Sequence, residues 1–102
     1  MPVQKAPKKH YLLKSQGPRR RDITKEERSI MDAHVAYWTE KMDAGIVLAF
    51  GPVHDPSGAY GVAIVEVDDE NQVQALIADD PAVKVSLLRT ESYPMLAVLP
   101  KK

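Results

Sequence analysis

Acid–base chemistry near neutral pH in this chain of 102 residues is most readily supplied by its three histidines, and the absence of cysteine excludes a thiolate nucleophile. His34 falls in the middle of an apolar arc of helical period, not at the rim of that arc. An unperturbed imidazole has a pKa of about 6.5, so it can act as acid or base in neutral solution. The alternative is a buried histidine bonded to a backbone carbonyl. Position on the helix, taken alone, favours that structural alternative.

A carboxylate that could act with this imidazole is Asp80, which stands before Pro81. The residue before a proline avoids helical backbone, so a helix should end here. Asp80 could orient His34 and raise its basicity, as the third group of a triad does. It could equally cap its own backbone in an Asp-Pro turn, and the sequence leaves both roles open. Asp79 is the less suitable partner, because the proline follows Asp80.

Six further side chains could contact a substrate, and each has a plain structural alternative. Lys41, one heptad after His34, could hold an anion at a pocket mouth or be ordinary surface. His54 could be a second proton donor or an exposed turn residue. Arg89 could pair with a substrate carboxylate or with a surface acid. The three aromatic candidates for stacking, which core packing would also explain, are Tyr37, Trp38 and Tyr60.

Several classes of site lack their signatures. The chain has no glycine-rich phosphate loop, no Gly-x-Ser-x-Gly elbow and no His-Glu-x-x-His. This argues against kinases, nucleophile-elbow hydrolases and zincins. His34, His54 and Asp80 are the residue types of a two-His-one-carboxylate metal site, but their spacing gives no independent support. We therefore expect no metal and no cofactor.

The first helix, which must position His34, has clear ends in the sequence. Thr24 and Glu27 form a capping box. The helix is predicted to run to about Ala44, with Gly45 as its stop. Its apolar arc consists of Ile30, Met31, His34, Val35, Tyr37, Trp38 and Met42.

The remaining elements complete an α+β pattern. Strands are predicted at 10–14, 46–53, 59–67 and 93–99, the middle two forming a hairpin around a turn at 54–58. A second helix is predicted from a cap at Asp68 or Asp69 to about Ala78, and 83–88 stays ambiguous. Pro94 requires an edge, a strand start or a bulge. The order is the ferredoxin-like βαββαβ unit with an antiparallel sheet, in one domain (10–102) behind a flexible basic tail (1–9).

Apolar runs in the strands predict a second copy of the chain. Residues 46–50, 62–65 and 95–99 lack the apolar/polar alternation of a sheet with one wet face. Two helices can cover only one face of the sheet. A second sheet from a two-fold partner would cover the other, which predicts a homodimer. The alternative is a monomer with unusually apolar strands.

The chain resembles the YCII-related (YciI-like) proteins over about residues 10–99. The segments that carry the resemblance are 31–38 (MDAHVAYW), Gly45, 50–53 (FGPV), 79–81 (DDP) and 93–95 (YPM). The resemblance implies a dimeric α+β barrel related to muconolactone isomerases. It also implies a His and an Asp that face one cavity, which by motif position are His34 and Asp80. One relative is a dehydrochlorinase of a chlorinated hydroxyquinol.

Composition narrows the partners and leaves two main hypotheses. Lys plus Arg and Asp plus Glu both number 14, so no nucleic-acid partner is expected. No apolar run could span a bilayer and no signal peptide is evident, so we expect a cytoplasmic protein. The expected partners are a second copy of the chain and a small-molecule ligand. The leading hypothesis is a cofactor-free isomerase or lyase that uses His34 and Asp80. The competing one is a non-catalytic dimeric module that binds a small ligand or a protein; a monooxygenase is a third idea, supported by fold analogy alone.

Overall fold

The computed structural model describes residues 7–17 and 23–99. Their elements are β1 (Lys9–Gln16), α1 (Lys25–Asp43), β2 (Val47–Val53), β3 (Tyr60–Val67), α2 (Glu70–Ala78), α3 (Pro81–Lys84) and β4 (Arg89–Met95). The strands form one antiparallel sheet in the order β2-β3-β1-β4. This confirms the predicted ferredoxin-like α+β fold. The first six residues of the predicted tail and the basic connection at 18–22 lie outside the described residues, and β1 begins one residue earlier than predicted.

Both ends of α1 are held as the sequence indicates. The Thr24 hydroxyl accepts from the Glu27 amide (3.1 Å), and the Glu27 carboxylate accepts from the Thr24 amide (2.8 Å). At the other end Ala44 is the C-cap, and Gly45 has a φ of +83°, a left-handed conformation that glycine adopts without strain. These two ends fix where His34 lies along the helix.

The core lies between the helices and one face of the sheet. Its largest fully buried hydrophobic side chains are Leu13, Val65, Val67 and Val73. Along β1 and β3 the buried residues alternate with partly exposed ones, so the helices cover one face and leave the other open. Within α1 only Trp38 is buried, and Val35 of the predicted apolar arc is exposed. The arc is therefore only partly covered by this chain.

The last strand lies earlier than the sequence predicts. β4 spans Arg89–Met95 rather than 93–99, and Leu96 and Leu99 are exposed beyond its end. Pairing with β1 fixes this register, with Leu12 opposite Tyr93 and Gln16 opposite Arg89. Sequence reasoning followed the apolar run and missed the mostly polar strand before it. The sheet order does place Pro94 in an edge strand, as its missing N–H requires.

The open face of the sheet carries an apolar row. Register places Ala49 beside Ile64, Ile64 beside Leu12, and Leu12 beside Tyr93. We call these four residues the outer row; in β1 and β3 they alternate with buried residues of the core. In the described part of the chain, no helix is long and apolar enough to cross a membrane.

Candidate active site

The structure brings the two predicted catalytic side chains into contact. His34 Nδ1 lies 2.7 Å from Asp80 Oδ2, although the residues are 46 positions apart in sequence. Helix α1 supplies the imidazole, and the junction between α2 and α3 supplies the carboxylate. The His34 side chain is 16% exposed and that of Asp80 is 0% exposed. A solvent-shielded carboxylate thus holds one nitrogen of a ring that reaches solvent.

Asp80 both contacts His34 and caps its own backbone, so the two positions that its sequence left open occur together. Its Oδ1 accepts from the Ala82 amide (2.9 Å), which makes Asp80 the N-cap of α3. Its Oδ2 accepts from His34 and also from Trp38 Nε1, at 2.8 Å. The carboxylate therefore has three donors, two from α1 and one from α3, and its position is strongly constrained.

Local sequence explains why these groups meet. His34 and Trp38 are four residues apart, so they lie on one face of α1 and can share an acceptor. Pro81 occupies the first turn of α3, where its missing N–H has no cost. Asp80, immediately before it, has the extended backbone typical of an N-cap (φ −65°, ψ 124°).

Electrostatics keep Asp80 ionised. Burial alone would raise the pKa of Asp80, but the hydrogen bonds from His34, Trp38 and the Ala82 amide together bring it below its ordinary value of 3.8. An ionised carboxylate only accepts hydrogen bonds, so His34 Nδ1 is the donor. The proton of a neutral His34 is therefore on Nδ1, which leaves a lone pair on Nε2.

The Nε2 atom of His34 is available to a ligand. It forms no hydrogen bond within the described residues, where no side-chain nitrogen or oxygen is both buried and unpaired, so it reaches solvent. His34 lines a cavity of about 410 Å³ between α1 and the sheet. The described lining residues include no Asp, Glu, Lys or Arg. They are Leu13, Ser15, Gly17, Met31, His34, Val35, Trp38, Phe50, Gly51, Pro52, Ala59, Tyr60, Gly61, Val62, Ala63 and Leu88.

Of the six predicted substrate contacts, Trp38 and Tyr60 line this cavity. The other four do not line it. Lys41 Nζ lies 5.2 Å from the centre of the Tyr37 ring, and His54 and Arg89 are exposed elsewhere on the surface. The structure therefore offers no contact between these residues and a ligand in the cavity.

Tyr37 has a structural position instead. Its hydroxyl donates to the Leu76 carbonyl (2.6 Å), which ties α1 to α2. Burial, together with the negative charges of nearby carboxylates, raises the pKa of Tyr37 to about 12. The phenol thus stays protonated and keeps its role as a donor.

Sequence reasoning missed two residues that shape the cavity. Ser15 is buried on β1, lines the cavity and lies 2.8 Å from Thr90 through the two hydroxyl oxygens. Phe50 contributes an aromatic wall from β2. A signal for Ser15 existed, because it follows Tyr11 and Leu13 at the two-residue period of the core face.

Metal binding has no support in the geometry of the described chain. Residues 7–17 and 23–99 contain no group of three His, Cys, Asp or Glu side chains close enough to hold a metal ion. His54 does not join His34 and Asp80.

Comparison with known proteins identifies the family. The YCII-related domain matches residues 9–95, and the chain belongs to this family. No curated protein matches the sequence at a significant level.

Solved structures share the fold at low sequence identity. 5-Chloro-2-hydroxyhydroquinone dehydrochlorinase from Burkholderia phenoliruptrix AC1100, solved with 2,5-dihydroxybenzoquinone, is 17% identical with a TM-score of 0.54 over 82% of this chain and 90% of its own. An uncharacterized protein from Thermotoga maritima is 17% identical with a TM-score of 0.53 over 86% and 98%. A protein of unknown function from Nitrosomonas europaea is 17% identical with a TM-score of 0.50 over 93% and 97%. These similarities establish the fold.

Proposed function

We propose that this protein is a cofactor-free enzyme that transfers a proton on a small organic substrate, as an isomerase or a lyase. One observation carries the proposal: buried Asp80 binds His34 Nδ1 and so leaves Nε2 free at an apolar cavity. A base within reach of a substrate proton, oriented by a third group, is the arrangement that general acid–base catalysis needs.

Each group has a defined role in such a reaction. His34 Nε2 takes a proton from a hydroxyl or an activated carbon of the substrate. Asp80 stabilises the imidazolium that forms and fixes the ring orientation, while Trp38 holds Asp80. In an isomerisation the imidazolium returns the proton to another atom of the same molecule. In an elimination the leaving group departs with its bonding electron pair, and the proton balances its charge.

Phenolic rings are the first substrate class to test. The described wall of the cavity is mostly apolar, and it includes the aromatic rings of Trp38 and Phe50, which suits a flat ring. The fold is shared with a dehydrochlorinase of 5-chloro-2-hydroxyhydroquinone. We therefore choose chlorinated hydroxyhydroquinones for elimination and unsaturated lactones for isomerisation.

Turnover by matched histidine variants tests the proposal. The assay follows chloride release from 5-chloro-2-hydroxyhydroquinone under anaerobic conditions, and lactone isomerisation by product analysis. His34→Gln should lower kcat/KM by about 10²–10⁴-fold, the usual contribution of a general base. His10→Gln is the control, because His10 bonds Glu66 in the sheet and does not line the cavity. Full turnover by His34→Gln, or no turnover of either series by the wild type, would contradict the proposal.

A non-catalytic binding module is the competing function. It predicts that His34 and Asp80 are too far apart to interact, or that backbone groups satisfy both. The two side chains are instead 2.7 Å apart, close enough to interact. His34 is not satisfied by backbone groups, because its Nε2 has no hydrogen-bond partner in the described residues. Binding of these compounds at the cavity, with no turnover in any condition, would favour the module.

We also propose that the active form is a homodimer joined through the outer row. Ala49, Ile64, Leu12 and Tyr93 cross all four strands on the face that the helices leave open. Sedimentation equilibrium should give twice the chain mass of 11.3 kDa. Ile64→Lys should shift the protein toward the monomer, whereas Val85→Lys, at an exposed site after α3, should not. A monomeric wild type at micromolar concentration would contradict this assembly.

A further inference from the structure

A second polar feature of the cavity is the hydroxyl pair Ser15 and Thr90. The two residues are register partners on β1 and β4, and their oxygens are 2.8 Å apart. Ser15 is 8% exposed and lines the same cavity as His34, whereas Thr90 does not line it. Thr90 therefore lies beside Ser15 on the neighbouring strand, outside the cavity lining.

Hydrogen counting shows that the pair has a donor to spare. Two hydroxyls carry two O–H hydrogens, and their mutual bond uses one of them. Neither hydroxyl has another hydrogen-bond partner among residues 7–17 and 23–99. When Thr90 donates to Ser15, the Ser15 hydrogen is free, and when Ser15 donates to Thr90, the Ser15 lone pairs are free. Ser15 can thus meet either a donor or an acceptor in the cavity.

Other polar groups on the described wall are less available. The Trp38 N–H is already donated to Asp80. Lys14 alternates along β1 with the core-facing Leu13 and Ser15, so its side chain lies on the outer face of the sheet. The Tyr60 ring centre is 4.6 Å from the Lys14 ammonium, so this ring is directed toward the outer face. Two polar contacts with a ligand in the cavity therefore stand out, His34 Nε2 and Ser15 Oγ.

We infer that Ser15 is the second polar contact of the substrate, with Thr90 as the residue that positions it. The inference rests on the proposed function and names the substrate class more narrowly: a ring that carries two oxygen substituents, one for His34 and one for Ser15. As His34 removes a proton, charge moves onto the substrate oxygens. Ser15 donates to the developing anion, and Thr90 strengthens that bond by donating to Ser15.

Binding of simple phenols tests this inference without knowledge of the natural substrate. The probes are catechol, resorcinol and hydroquinone, which carry two hydroxyls, and phenol, which carries one. Trp38 is the single tryptophan and lines the cavity, so its indole N–H signal in ¹H–¹⁵N NMR reports occupancy without ambiguity. Titration of each probe gives a dissociation constant for every variant.

The expected pattern separates Ser15 from its neighbours. For the tightest-binding dihydroxybenzene, Ser15→Ala should raise the dissociation constant about tenfold, the loss of one hydrogen bond to a ligand. Thr90→Val should give a smaller increase, and Thr90→Ser, which keeps the hydroxyl, should give none. Phenol can use His34 alone, so its binding should not change. Ser92→Ala, on β4 but outside the cavity lining, is the matched control.

Each outcome distinguishes the inference from the proposed function. If Ser15→Ala binds dihydroxybenzenes and turns over substrate like the wild type, the inference fails and the function of His34 stands. If Ser15→Ala weakens binding while His34→Gln keeps full turnover, the proposed function fails and Ser15 remains a ligand contact. If no dihydroxybenzene shifts the Trp38 signal of the wild type at millimolar concentration, the inference is overturned. Thermal melting of Thr90→Val, which has nearly the shape of the wild type, separates loss of binding from loss of folding.

Discussion

Two histidine–carboxylate pairs in this protein have the same chemical type but differ in the exposure of the carboxylate and in the other donors that it accepts from. His34 and Asp80 are 2.7 Å apart, with a carboxylate that is 0% exposed. His10 and Glu66 are 3.0 Å apart across β1 and β3, with a carboxylate that is 37% exposed. Asp80 accepts from two further donors, Trp38 and the Ala82 amide, whereas His10 is the hydrogen-bond partner found for Glu66 in the described residues.

The difference shows that burial of the carboxylate, together with its other donors, fixes the orientation and proton position of the histidine ring. In the single chain, water competes for Glu66 and screens its charge, so the His10 ring gains little orientation from the contact. Water does not reach Asp80, and three donors fix its oxygens, so the carboxylate determines which His34 nitrogen holds the proton. Only the His34 ring also lines the cavity.

The largest expected effect is on stability when each carboxylate is removed. Asp80→Ala leaves the buried Trp38 N–H without its acceptor and removes the cap of α3, so it should lower the free energy of unfolding by about 3 kcal/mol. Glu66→Ala should lower it by less than about 1 kcal/mol. Urea denaturation of both variants measures the two values. Equal losses would show that the two pairs are energetically alike.

Removal of one donor to Asp80 should have the next largest effect. Trp38→Phe keeps a buried ring but deletes the N–H that donates to Oδ2, at a cost of about 2 kcal/mol for a bond to a charged group. The pKa of Asp80 should rise in this variant, because a hydrogen bond that favours the ionised form is lost. Tyr60→Phe, which deletes a hydroxyl with no hydrogen-bond partner among residues 7–17 and 23–99, is the control and should unfold like the wild type. If Trp38→Phe has the same free energy of unfolding as the wild type, the hydrogen bonds from His34 and the Ala82 amide are enough to stabilise the buried Asp80 carboxylate.

Acid should destabilise the protein through Asp80 of the buried pair. The pKa of Asp80 is lower in the folded state than its ordinary value of 3.8, so its stabilising contribution is present above pH 3.8 and is lost as the pH falls through the folded value. The wild type should therefore lose stability below about pH 4, by roughly 1.4 kcal/mol for each unit of pKa difference. Asp80→Asn should flatten this slope, because it removes the titrating carboxyl. Unfolding free energies from pH 2.5 to 6 measure the slopes, and parallel curves for wild type and Asp80→Asn would contradict the assignment.

Salt should give the smallest effect. Glu66→Gln should differ from the wild type by less than about 1 kcal/mol at low ionic strength, and the difference should vanish near 1 M NaCl. The difference between Asp80→Asn and the wild type should persist, because buried pairs are screened much less. Loss of both differences at high salt would place Asp80 in contact with solvent.

Local signals in the sequence were sufficient for α1 and for the shared face of His34 and Trp38, but not for the contact with Asp80. The Thr24–Glu27 capping box and Gly45 set the ends of the helix, and four-residue spacing placed His34 and Trp38 on one face. The pairing of His34 with Asp80 came from the family resemblance. No local pattern links residues that are 46 positions apart, so the residues alone did not predict that contact.

Elsewhere, tertiary contacts decided what local patterns could not. β4 is mostly polar, and only its register with β1 makes it a strand. Lys41 shares a helical face with His34, but seven residues advance it by about 10.5 Å along the axis, and it ends over the Tyr37 ring. The place of Ser15 in the cavity wall depends on how β1 packs against α1, and the pattern of a single strand does not predict that packing.

The position of the proton on His34 tests the arrangement most directly. Long-range ¹H–¹⁵N NMR of the imidazole at about pH 8, where an ordinary histidine is neutral, distinguishes the two tautomers. Because ionised Asp80 requires a donor at Nδ1, the spectrum should show Nδ1 protonated and Nε2 bare. A proton on Nε2 instead would mean that His34 does not donate to Asp80, and that the cavity faces no available base.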